Sequence, residues 1–177
     1  MNTIHKLPFS TSFSRGDTYE RLRLMKIDHC SVIEFSGHDA AFSAVLAKAR
    51  KCDCDYVDVT PELWPMAKDV CEKMRVPVRI WALHPNEVEH RKWDVAISME
   101  LMNWASDWRP LLDEMMRRAD RLYFEIWHSV LPHHLRHIGF FPMPVVLLES
   151  YLRENGYGMN LLGNNKPGTR CIVEAQR

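Results

Sequence analysis

Residues 158–176 read GMNLLGNNKPGTRCIVEAQ: two apolar runs, GMNLLG (158–163) and TRCIVEAQ (169–176), separated only by NNKPG. A crossover between parallel strands takes a dozen or more residues, whereas a short Asn-, Pro- and Gly-rich connection turns the chain back on itself. The two runs must therefore pair antiparallel. Upstream the pattern is different. Short apolar, β-branched or aromatic runs recur at SVIEF (31–35), CDYVDV (54–59), VPVRIWAL (76–83), DVAISM (94–99) and RLYFEIW (121–127). Helix-compatible segments at 40–51, 61–75, 108–118 and 144–155 alternate with them. Strand and helix in alternation imply parallel strands joined by crossover helices. The expected architecture is thus α/β, a Rossmann-like, mostly parallel seven-stranded sheet with helices on both faces and an antiparallel C-terminal hairpin.

The 177 residues, 46% hydrophobic and 26% charged, suit one compact domain with its own core. Residues 1–16, MNTIHKLPFSTSFSRG, read as an irregular lead-in, after which Asp17 caps a helix in DTYERLRLMKI and a single domain runs over 17–177. Lys and Arg total 23 against 23 Asp and Glu, so there is no global electrostatic footprint for a polyanion and nucleic acid is not favoured as a partner. Five scattered cysteines, and an N-terminus without a basic start followed by a long apolar run, fit a reducing cytoplasm. The cysteines read as buried apolar side chains. No apolar run approaches the roughly 18 to 20 residues that cross a bilayer.

Three stretches carry a resemblance to a known family, from about Tyr19 to the C-terminus: VIEFSGHDAAFS, YVDVTPELWPMAKDVCEKM and WDVAISMELMNWASDWRPLLDEMMRRADRLYFE. They resemble the first strand and glycine-rich turn, the second strand with its terminal acid, and the fourth and fifth strands of class I S-adenosylmethionine-dependent methyltransferases. The resemblance implies S-adenosylmethionine as cofactor, held by Glu34, Gly37, His38, Asp58, Leu83 and Met99. Glu34 matches the acid commonly linked to the methionine amino group, and Asp58 the acceptor for the ribose hydroxyls. Ligands of open α/β sheets lie at the carboxyl ends of the strands, where Asp58 stands. Leu83 and His84 end the third strand beside the expected adenine, and Met99 and Glu100 end the fourth. On the acid-x-Gly-x-Gly-x-Gly pattern of the turn, Ser36, His38 and Ala40 occupy the glycine positions, with Gly37 left to supply a shifted turn. The family's Gly-Gly before the fifth strand is also replaced, by RRADRLY, where Asp120 is expected to supply the unusual backbone angles of the turn. Structural alternatives stand beside the ligand roles: Glu34 as a buried carboxylate satisfied by loop amides, Asp58 as a helix cap with Thr60.

Methyl transfer from a sulfonium is an in-line displacement, in which a general base serves acceptors that hold a proton of high pKa. Glu100 and His128, at strand ends, are the candidate catalytic bases. His133 and His137 stand at helical metal-ligand spacing, but no third ligand is identifiable and no metal is assigned. The acceptor is expected to be a small molecule, contacted by residues 1–25 and 128–146 or by a second subunit of a homo-oligomer. A catalytically inactive binding or assembly module is the alternative, supported by the substituted loop glycines. A nicotinamide dehydrogenase is disfavoured by the absence of GxGxxG and by the terminal hairpin.

Overall fold

Strand β1 (Ser31–Ser36) has Val32, Ile33, Phe35 and Ser36 fully buried, as expected of a central parallel strand covered on both faces and therefore apolar along its length rather than alternating. It belongs to a computed structural model that describes residues 15–36, 40–58, 64–81, 91–99, 107–127, 144–163 and 170–177; at residues 15–17, 19 and 58 it describes the backbone. The described strands form one mixed, mostly parallel seven-stranded sheet in the order β3-β2-β1-β4-β5-β7-β6. The Rossmann-like fold expected from the alternation of elements is the fold observed. The chain divides into two compact units, Met1–Val95 and Ala96–Arg177.

In the first unit, β2 (Asp53–Asp58) runs parallel to β1 in register from Ser31 opposite Asp53 to Ser36 opposite Asp58, and β3 (Arg79–Trp81) runs parallel to β2. Helix α1 (Arg15–Leu24) opens at Arg15, so Asp17 lies inside its first turn and not at the cap. Helices α2 (Ala41–Arg50) and α3 (Trp64–Met74) connect the strands. Cationic side chains of α2 serve the carboxyl ends of its neighbours: Lys48 donates to the Met74 carbonyl at 3.0 Å and Arg50 to the Leu22 carbonyl at 3.0 Å. Terminal helix carbonyls lack intrahelical partners, and cations there also meet the negative end of the helix dipole. β3 begins later than the run VPVRIWAL suggests, at Arg79. Pro77 has no N–H to give a ladder, and the described strand begins after it.

In the second unit, β4 (Val95–Ser98) pairs parallel with β5 (Arg121–Trp127) through its residues from Ala96 onward. β5 pairs antiparallel with β7 (Arg170–Gln176), which pairs antiparallel with β6 (Gly158–Leu162), the hairpin that the short connection demanded. Helix α4 (Arg109–Arg118) precedes β5 and α5 (Val145–Glu154) precedes β6. The turn into β5 is made differently from expectation. Ala119 leaves α4 in an extended conformation (φ −148°, ψ 152°), and among the described residues the positive-φ non-glycine residues are His29, Ala40, Lys51 and Arg75, not Asp120. Tyr157 holds that turn by donating to the carbonyls of Ala119 (2.8 Å) and Met116 (3.2 Å). The core of this unit includes Leu112, Met115, Leu122, Phe124, Ile126, Leu148, Leu152 and Val173, all fully buried. Among the described residues no helix is long and apolar enough to cross a membrane.

Candidate functional site

Of the expected cofactor residues that the structure describes, Glu34 and Asp58 lie at the carboxyl ends of β1 and β2, and Met99 follows β4. Glu34 sits two residues before the end of β1 with 2% of its surface exposed. Its Oε2 accepts from the backbone N–H of Ser43 at 3.0 Å and from the Ser43 hydroxyl at 2.5 Å. Ser43 is in the first turn of α2, where N–H groups have no helical partner. The residue in the cap position, Ala40, has no side-chain oxygen to offer and lies in the left-handed region (φ 56°, ψ 15°). Glu34 therefore does from the strand what Ser, Asp or Asn does at an ordinary N-cap, placing a carboxylate against the positive end of the helix. The donors to this oxygen are one helix amide and one hydroxyl; the loop amides of residues 37–39 lie outside the described residues. Ala40 occupies the third glycine position of the turn, and it adopts the backbone conformation for which glycine is the usual residue.

Ser36 ends β1 directly opposite Asp58, the last residue of β2. Side chains two apart on a strand share a face, so Ser36 lies on the same face as Glu34. Its Oγ is fully buried and has no hydrogen-bond partner among the described residues. An orphaned buried hydroxyl costs about 1–3 kcal/mol. In the second unit, Ser98 at the end of β4 has a hydroxyl in the same condition, and Met99 after it is fully buried. Gly37, His38, Leu83, His84, Glu100, His128, His133 and His137 lie outside the described residues, as do Val59 and Thr60. Among the described residues no three His, Cys, Asp or Glu side chains gather as metal ligands.

The strongest electrostatic feature escaped the sequence reading. Asp55, on the opposite face of β2 and 1% exposed, accepts a bidentate pair of bonds from Arg79 (Nε to Oδ1 and Nη2 to Oδ2, both 2.7 Å). The indole N–H of Trp81 reaches Oδ1 at 2.9 Å, that of Trp93 reaches Oδ2 at 2.7 Å, and the Arg91 guanidinium also donates to Oδ2. Arg79 further bridges to Asp53 at 2.9 Å. Burial pushes the Asp55 carboxyl up, but the bonds from Arg79, Trp81 and Trp93 and the Arg79 charge outweigh it and hold the group down at about 2. An anion so fully engaged cannot serve as a base; it ties β2 to β3 and to Arg91–Trp93. The signal was legible in principle. An acid inside an apolar parallel strand requires partners, and Arg79 falls opposite it once β2 and β3 are set in register.

No family model matches the sequence, and no curated protein matches it. Solved structures do. Magnesium protoporphyrin IX methyltransferase from Synechocystis PCC 6803, crystallised with bound SAH, is similar at a TM-score of 0.70 and 15% identity over 86% of this chain and 75% of that one. The mitomycin 7-O-methyltransferase MmcR is similar at 0.71 and 13% identity over 90% of this chain and 52% of that one. A methyltransferase from Pyrococcus furiosus is similar at 0.68 and 15% identity over 96% of this chain and 87% of that one. At such identities the likeness is one of fold.

Proposed function

The chain has the fold of the class I S-adenosylmethionine-dependent methyltransferases, and on that premise we propose that it binds S-adenosylmethionine at the carboxyl ends of β1 and β2 and transfers its methyl group to a small-molecule acceptor. The observation that carries this reading is the buried Ser36 hydroxyl, unpartnered among the described residues, opposite Asp58 in the register of the two strands. Polar groups at that position suit a ribose, whose hydroxyls need acceptors and donors. The group, when bound, supplies an electrophilic methyl on a sulfonium. Asp58 accepts hydrogen bonds from the ribose hydroxyls, and Ser36 supplies one more donor or acceptor beside it. Glu34 holds the amino end of α2 in place, which fixes the start of the turn between β1 and α2. Glu100 and His128 are the candidate bases for an acceptor that must lose a proton.

Titration calorimetry of the full chain with S-adenosylmethionine and S-adenosylhomocysteine tests the cofactor site. Saturable heat is expected, and no heat at millimolar ligand would refute the reading. Asp58→Ala should weaken binding about 10- to 100-fold, the worth of charge-assisted bonds to a diol. Unchanged affinity in a folded variant would remove Asp58 from the site.

One observation favours a second reading, an inactive binding or assembly module. Ser36 and Ala40 stand in glycine positions of the turn, and the Glu34 Oε2 oxygen is engaged by Ser43. Incubation with methyl-labelled cofactor and a cell extract separates the two, since cofactor binding without any labelled product supports the module.

A further inference from the structure

At the amino ends of β1 and β2, opposite the rim just described, two cysteines meet. Ser31 pairs with Asp53, so extending the register by one residue sets Cys30 opposite Cys52. The bond from the Asp53 N–H to the Cys30 carbonyl, 3.0 Å, continues the ladder there. Opposed residues of neighbouring strands point to one face and lie about 4.8 Å apart, within the roughly 4.4–6.8 Å between Cα atoms that a disulfide spans. Both thiols are free, and the Cys52 thiol donates to the Arg50 carbonyl at 3.7 Å. Cys30 is half-buried, whereas Cys52 is 7% exposed. Cys54 is the wrong partner for Cys52: it lies two residues along the same strand, about 6.6 Å away, near the limit of the span, and is fully buried.

We propose that Cys30 and Cys52 form a redox-modification site, a thiol pair across β1 and β2 that hydrogen peroxide closes to a disulfide. The environment divides the labour between the two sulfurs. The neighbouring Cys30 thiol, with the amides of Cys30 and His29, brings the Cys52 thiol down to about 7, against burial and the charge of Asp28. The neighbouring Cys52 thiol, with burial and the charges of Cys52 and Asp94, pushes Cys30 up. Cys52 is therefore the nucleophile, because the thiolate is the form that attacks. Its sulfur attacks one peroxide oxygen, an S–O bond forms, the O–O bond breaks, and the departing hydroxide leaves as water, giving a sulfenic acid. The Cys30 sulfur then attacks the Cys52 sulfur; the S–S bond forms, the S–O bond breaks, and the Cys30 proton departs with the oxygen as a second water. Two thiols lose two electrons and one peroxide gains them.

The test uses the full chain, reduced, exposed to hydrogen peroxide at neutral pH, then denatured and alkylated with iodoacetamide for mass spectrometry. Of the five cysteines, two should escape alkylation after peroxide and become available again after dithiothreitol, with a peptide map joining Cys30 to Cys52. The Cys30→Ser variant should stop at a sulfenic acid on Cys52 that dimedone traps. Retention of all five thiols overturns the proposal, as does a bridge joining any other pair or oxidation of Cys52 to the sulfinic acid without a bridge in the unmutated chain.

Discussion

Asp55→Asn isolates the contribution of the buried cluster on β2. The carboxyl sits at about 2 in the folded chain against an ordinary 3.8. At about 1.4 kcal/mol per pH unit, the ionised form contributes about 2 kcal/mol at neutral pH. Because the folded value is the lower one, this contribution is complete above 3.8 and is lost as pH falls through about 2. Asparagine abolishes the charge and also turns an N–H₂ toward a shell made entirely of donors: the guanidinium groups of Arg79 and Arg91 and the indoles of Trp81 and Trp93. One buried donor left without an acceptor costs a further 1–3 kcal/mol or so. The sum, about 3–5 kcal/mol, agrees with what removal of one partner from a buried ion pair costs. Arg79 and Arg91 are partly exposed, so water can take over some of their bonds and the lower half of that range is expected. The measurement is urea unfolding of both chains followed by tryptophan fluorescence, at pH 7 and in steps from pH 4 to 2.5. The stability gap should be about 3 kcal/mol at pH 7 and shrink steadily over the acid steps, because the carboxyl of the unfolded chain takes up its proton there while the native one stays largely ionised. A gap below about 1 kcal/mol at pH 7, or one that stays constant from pH 4 to 2.5, would refute the account of a desolvated anion held by these four side chains.

Ser43→Ala removes the hydroxyl that Glu34 accepts from at the start of α2; a loss of about 1–2 kcal/mol is expected by chemical denaturation, and a neutral result would mean that the capping role rests on the backbone amide alone. Ala40→Gly relieves the left-handed conformation (φ 56°), worth about 1–2 kcal/mol, against the extra chain entropy of glycine, so thermal unfolding should show a net gain of about 0.5–1 kcal/mol. Destabilisation by this change would contradict the conformation assigned to Ala40. Tyr157→Phe deletes the donor to the carbonyls of Met116 and Ala119 and should cost about 1–2 kcal/mol, with faster amide exchange at the start of β5.

The element pattern was readable because it follows from local rules. RLYFEIW became β5 at its full length, and NNKPG left the last two strands only an antiparallel pairing. Element ends were read less well where a residue other than glycine does glycine's work. Lys51 and Arg75 close α2 and α3 at φ 56° and 54°, and no side-chain signal marks such positions. The start of α1 was misplaced for a related reason, since Asp17 can serve either at a cap or inside a first turn. At the candidate site, the placement of Asp58 at the end of β2 was foreseen, and its pairing with Ser36 came from the register.

The bond between Glu34 and Ser43 joins residues nine apart, and the ring of donors around Asp55 gathers residues 24 to 38 positions away. By itself, the sequence determined the class of fold and the direction of each strand, because periodicity and connection length act within a few residues of the chain. Only the tertiary structure decided which carboxylates are bound up in holding the fold and which buried hydroxyls at the rim have no partner among the described residues. That choice depends on which groups lose contact with water together, and burial is set by packing between elements remote in the chain.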